Sequence, residues 1–124
     1  LGQARKYYKQ AVAKSLAAGG DPQGLGLTQR FLARLCLKQK RREEAREHLH
    51  QALIHDPNDA FSLSLLARLY LDGRESPEVA ESLARQSVAL RPDNKSFWLT
   101  LARSYEAQGK EQEAQSALNH AAEM

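Results

Sequence analysis

Three stretches of this chain superimpose at a spacing of 34 to 35 residues. Their shared landmarks are small residues, Ala45, Ala80 and Ala114, each preceded by a short polar turn, with Pro57 and Pro92 closing the first two stretches. Ala45 to Ala80 is 35 residues and Ala80 to Ala114 is 34. A unit that short cannot bury its own apolar face, so stacked neighbours must cover it, and the period predicts a solenoid of helix pairs with an extended concave surface. Surfaces of that kind bind other proteins. The pattern therefore points to a partner-binding module and away from a catalyst.

Composition agrees with an all-α reading, because Ala, Leu, Gln, Glu, Arg and Lys dominate and all favour helices. At 124 residues the chain is long enough for a real core and short for two independent domains, so residues 1–124 are expected to act as one domain. The formal charge of +3 hides an asymmetry: residues 1–50 carry 11 Lys/Arg against 4 Asp/Glu, and residues 51–124 carry 7 against 11. A basic half can serve nucleic acid, but no DNA- or RNA-reading motif accompanies it, and that partner is disfavoured. Cys36 has no second cysteine to pair with, so nothing depends on an oxidising compartment and the cytoplasm is marginally favoured. Its place on an apolar helical face marks it as a small core thiol. No apolar run approaches a membrane span, and no signal-peptide pattern opens the chain. Because the sequence starts at Leu1 in mid-helix, it is expected to be an excerpt whose targeting signals lie elsewhere.

Residues 3–18 read as a helix, with Ala4, Tyr7, Tyr8, Ala11, Val12 and Leu16 on one face. Residues 19–26, with four glycines and Pro22, read as a connector that breaks helical structure. Periodicity then predicts helices near 27–38, 42–55, 60–72, 78–90, 95–108 and 111–123, about seven in all with the first. Asp59 and Asn94 fall where the following helices need an N-cap. The turn between Asp72 and Pro77 is one residue longer than its counterparts, which accounts for the spacing of 35.

Laid side by side, these segments resemble tetratricopeptide repeats. The third, residues 95–124, supplies Trp98, Leu101, Ala102, Tyr105, Gly109, Ala114, Leu118 and Ala121, matching every framework position it reaches. The second, residues 60–94, supplies Leu63, Leu66, Ala67, Tyr70, Ala80, Ser87 and Pro92, departing at Ala84 where the family prefers a larger residue. The first, residues 26–59, supplies Leu32, Ala33, Ala45, Leu49, Ala52 and Pro57, with Gln29, Cys36 and Lys40 as departures. Residues 3–18 fit the second helix of a repeat whose first helix is missing. The resemblance implies a right-handed α–α superhelix, with Trp98 and Tyr105 as core framework. Ala122 replaces the larger Leu53 and Val88 of the earlier repeats, so the last helix is expected to end the fold, and the Tyr7, Tyr8 and Val12 edge is expected to self-associate.

No catalytic constellation stands out, and no cofactor is implied. His48, His50 and His55 share a helix, but their spacing turns them to different sides or separates them too far to share one ion, so no metal site is expected. The glycines of 20–26 follow a helix and lack the ending of a phosphate loop. What remains is the concave surface. In the family this resembles, the first helix of each repeat lines the groove, which here implies Arg30, Arg34 and Lys38 from the first repeat, Phe61, Ser64 and Arg68 from the second, and Leu99 and Arg103 from the third. Arginine is the ninth residue of all three repeats, and guanidiniums suit carboxylates. Arg68 has Asp72 and Arg103 has Glu106 nearby in sequence, whereas Arg34 faces Lys38 and Arg30, leaving that end the greatest need of an anion. The residues that would grip a C-terminal carboxylate in chaperone-binding members are largely absent, Leu65, Ser96 and Thr100 standing in their places. The expected role is a non-catalytic scaffold for a protein or peptide partner, an acidic segment among them. A spacer, oligomerisation or regulatory module of a larger protein is the alternative.

Overall fold

The computed structural model describes residues 22–124, which form six α-helices: α1 Pro22–Lys38, α2 Arg42–His55, α3 Ala60–Asp72, α4 Pro77–Leu90, α5 Lys95–Ala107 and α6 Glu111–Ala122. No strand occurs among the described residues. The fold is an all-α helical repeat. Helix 3–18, with Tyr7, Tyr8 and Val12, lies outside the described residues. The chain divides between Ser62 and Leu63 into two compact units.

In the first unit α1 packs on α2, antiparallel as a three-residue turn requires. Leu32, Ala33, Cys36, Ala45, Leu49 and Ala52 are fully buried. The start of α1 differs from the expectation: Pro22 to Gly26, read as the second half of a helix-breaking connector, is helical. Two causes account for this. Proline is tolerated at the first helical position, where its missing N–H has no helical partner to lose. Gly26 sits at a close crossing, where an added Cβ would lie 3.2 Å from the carbonyl oxygen of Ala52 and 3.4 Å from the Cβ of Asp56. The glycine that weakens the helix locally lets it approach its partner. Gln29, a departure from the apolar pattern, is buried and its Oε1 lies 2.7 Å from His48 Nδ1, so the polar side chain is satisfied.

The second unit packs α4 on α5 and α5 on α6. Ala80, Ala84 and Ala102 are fully buried, so the small residue at Ala84 is a site of tight packing. Ser87 and Ser104 are also fully buried and donate to the carbonyls of Ala84 and Leu101 at 2.7 and 2.6 Å. Trp98, expected in the core, is only half-buried. Its neighbour Phe97 takes the buried place at 4% exposure. The Trp98 indole donates to the carbonyl of Pro92 at 2.8 Å and stacks on His120, with ring centroids 4.0 Å apart. Trp98 and the half-buried Tyr105 line a shallow cavity of about 180 Å³. They form the wall of a surface feature instead of filling the interior.

The three turns inside the helix pairs share one backbone device. Lys40, Arg74 and Gly109 are left-handed, with φ of 59°, 54° and 73°. The next residue's N–H bonds back five residues: Arg41 to Cys36, Glu75 to Tyr70 and Lys110 to Tyr105, at 2.8 to 2.9 Å. This closure satisfies helix C-terminal carbonyls and is normally built on glycine. Only Gly109 supplies it. The longer middle turn adds a second left-handed residue, Ser76 at φ 38°, immediately before Pro77 starts α4. After the three turns, the amides of Ala45, Ala80 and Ala114 donate to the carbonyls of Arg41, Ser76 and Lys110, so the shared small residues enter their helices in one register.

Candidate partner-binding surface

On the first unit the surface is built by α1, whose residues include no Asp or Glu. Arg30, Arg34 and Lys38 recur every four residues and so project from neighbouring positions on one side. They are not equivalent. Arg30 is held: its Nη1 lies 2.6 Å from Asp59 Oδ1, with the two side chains 21% and 9% exposed. Asp59 at the same time accepts from the Ser62 hydroxyl at 2.6 Å and from its amide at 3.4 Å, capping α3. The Arg30 guanidinium also lies 5.0 Å from the ring centre of Phe61, a cation–π arrangement. The expectation that Arg30 adds to an unmet demand for anions is thus corrected, because the N-cap carboxylate of α3 neutralises it. Arg34 and Lys38 are exposed and form no ion pair among the described residues. With Phe31 and Leu35 they line a cavity of about 330 Å³. Leu27 and Phe31 lie one turn apart on α1 and remain 42% and 44% exposed.

On the second unit Arg103 bonds Asp72 at 2.9 Å, both side chains being nearly half exposed. Asp72 therefore serves the arginine of the following repeat instead of Arg68 four residues before it, and Glu106 is not the partner of Arg103. Within α3 the Arg68 to Asp72 spacing is base before acid, the weaker orientation on a helix. Arg68 is left exposed without an ion pair among the described residues. Leu99 is 41% exposed, whereas Ser64, expected on the accessible face, is 3% exposed. A small hydroxyl side chain there lies too deep to meet a partner directly. The sequence pattern could not separate it from its neighbours, because groove-lining and helix-packing positions adjoin. A second concavity of about 340 Å³ is lined by Leu71, Arg74, Glu75, Pro77 and Ala107, beside the lengthened turn.

The best-connected ion pair centres on α4. Glu81, on α4, accepts from Lys110 Nζ at 2.9 Å, Gln108 Nε2 at 3.0 Å and Arg85 at 3.4 Å. The bond from Lys110 holds the Glu81 carboxyl below its usual value, against the opposing effect of partial burial, and the same bond raises the Lys110 ammonium. This brace joins α4 to the start of α6 and has no chemical work implied by it. Among the described residues no group of three His, Cys, Asp or Glu side chains could hold a metal ion, and no helix is long and apolar enough to cross a membrane.

The family model of ChAPs (Chs5p-Arf1p-binding proteins) matches residues 27–123, which is 97 of the 124 residues. This chain belongs to the ChAPs family. No curated protein matches it significantly. Among solved structures, this ChAPs chain is similar to the second TPR of Spaghetti (RPAP3) bound to the HSP90 peptide SRMEEVD, with a TM-score of 0.74 and 18% identity over 78% of this chain and 89% of that one. It is similar to BtubC (BKLC) from P. vanneervenii, TM-score 0.83 and 18% identity, covering 98% of this chain and 55% of that one. A third likeness is to MamA, TM-score 0.72 and 14% identity, over 96% and 72% of the two chains. At these identities the structures establish the fold alone. The ChAPs match and these likenesses together make the chain a tetratricopeptide-like helical repeat, a fold typical of protein–protein interaction modules.

Proposed function

We propose that this ChAPs chain is a non-catalytic scaffold that holds an extended segment of a protein partner through the first-helix residues of its repeats, with acidic segments preferred. The observation that carries this reading is the state of the repeated arginine. Arg34 and Arg68 are exposed and unpaired among the described residues, so each retains its donors for a carboxylate. Arg103, engaged by Asp72, contributes less. Exposed Phe61 and Leu99 add apolar contact. The family description speaks of proteins that bind other proteins. The RPAP3 relative was solved with a peptide that contains two glutamates and an aspartate. Both support a protein partner, and the second supports an acidic one.

Titration of acidic peptides against the wild-type chain and the Arg34→Ala/Arg68→Ala/Arg103→Ala variant tests this. Affinity should drop in the variant and fall with added salt, given a Debye length of about 8 Å at physiological strength. Equal affinities, or binding indifferent to salt, would leave the spacer or regulatory reading in its place.

A further inference from the structure

We propose that the α1 face at Phe31, Arg34, Leu35 and Lys38 is a two-part docking site for a partner segment in which a bulky apolar side chain is flanked by carboxylates. The proposal rests on the reading of the chain as a partner-binding module and says where on the first unit, and by what chemistry, one such segment is held.

The cavity supplies both halves. Its volume of about 330 Å³ is at the small end of pockets that enclose a ligand group and suits one Leu, Met or Phe side chain. Phe31 offers an aromatic surface that is 44% exposed, and Leu35 lies one turn further along the same helix. Arg34 and Lys38 line the same cavity, with Cβ atoms ~5–6 Å apart as the i,i+4 spacing dictates. Two like charges at that spacing repel, and α1 has no acid of its own to separate them. The helix C-terminus accounts for Lys38, which sits in the last turn beside the terminal carbonyls, but not for Arg34 a turn earlier. Arg30, the third cation of the row, shows how the protein treats a charge it uses internally. It is paired with Asp59 and packed over Phe61. Arg34 and Lys38 have no such provision among the described residues.

Charge complementarity therefore selects an acidic occupant, and the apolar lining from Phe31 and Leu35 selects a protein over a nucleic acid. A phosphate backbone gains from a track of cations, not from two cations set among apolar side chains.

The test uses the 124-residue chain and a fluorescein-labelled dodecapeptide with a central Leu-Phe pair flanked on each side by two glutamates, read by fluorescence anisotropy. Arg34→Ala/Lys38→Ala should weaken binding by about tenfold or more, the scale of one to two partly shielded charge contacts. Phe31→Ser should weaken it with little change in salt dependence. Retention of the far-UV helical signal shows that each variant is folded; if Phe31→Ser fails that check, replacing the peptide's Leu-Phe pair by Ser-Ser reads the same contact from the other side. The two-part site is overturned if the Ser-Ser peptide binds as well as the parent, or if an oligothymidylate displaces the peptide as readily as unlabelled peptide does. It is also overturned, with the scaffold reading intact, if Arg34→Ala/Lys38→Ala binds normally while Arg68→Ala/Arg103→Ala does not. Absence of binding to any acidic peptide would remove both.

Discussion

Arg30 reaches Asp59 across 29 residues of sequence, and the carboxylate it meets is the one that caps α3. One aspartate thus starts a helix and neutralises a cation on another. The two roles reinforce each other, because the cap fixes the carboxylate where the guanidinium needs it. Asp59→Ala should cost about 2 to 3 kcal/mol, combining a lost cap with a lost charge-assisted bond to a mostly covered arginine. Arg30→Ala should cost less, since the cap survives. Urea unfolding of both single variants and the double variant measures the coupling, and strictly additive losses would show that the two roles are independent.

Lys40 and Arg74 hold left-handed backbone that Gly109 holds at no steric cost. Replacing either with glycine should stabilise the chain by about 0.5–1 kcal/mol, less whatever extra freedom glycine adds to the unfolded state. Gly109→Ala should destabilise by about 1 kcal/mol although no atom lies within contact distance of the added Cβ. Thermal unfolding of the three variants decides the matter. A destabilising Lys40→Gly would mean that the lysine side chain contributes more than its backbone strain removes.

Gly26 presents the opposite balance. Glycine inside a helix is about 1 kcal/mol worse than alanine, so the exposed-helix expectation for Gly26→Ala is a gain. Here the new Cβ meets the Ala52 carbonyl at 3.2 Å, and that oxygen already accepts from the Asp56 amide at 2.8 Å, so it cannot yield as a side-chain tip would. The variant should therefore lose stability, and a raised melting temperature would show that α1 can slide away from α2 without penalty.

The Glu81 and Lys110 brace gives stability a pH signature. Because Glu81 is held below its usual value in the folded chain, its contribution is present above the unfolded carboxylate value of about 4.3 and is lost as pH falls through the lower folded value. Lys110 is raised, so its share is present below the unfolded value of about 10.4 and is lost as pH climbs through the higher folded one. The gap in melting temperature between wild type and Glu81→Gln should be widest near neutral pH and shrink toward acid. A gap that stays constant down to strongly acidic pH would assign the loss to packing.

The placement of the helices from α2 onward was legible because each rests on local chemistry. Apolar residues recurring at helical spacing, prolines at junctions and Asp or Asn at N-caps all act within a few residues, and the helices from α2 to α6 begin and end within a residue of where those signals put them. The repeat spacing likewise identified the kind of fold. The helical start of α1 was not legible, because two glycines and a proline read locally as a break. Only the approach of Ala52, from another helix, makes glycine at residue 26 an asset.

The candidate surface shows the same division more sharply. That arginine recurs at the ninth residue of three repeats is written in the sequence, and so is the absence of acids from α1. Which arginines remain open was decided by contacts between residues far apart in the chain: Asp59 takes Arg30, Asp72 takes Arg103, and Arg34 and Arg68 are left without an ion pair among the described residues. Phe97 displaced Trp98 from the buried place for a related reason. Adjacent residues on a helix differ by about 100° in direction, and which of two neighbouring aromatics turns inward depends on where the packing helices lie. Charge and hydrophobicity are properties of a residue. Pairing and burial belong to its neighbours in space, and those exist only once the chain has folded.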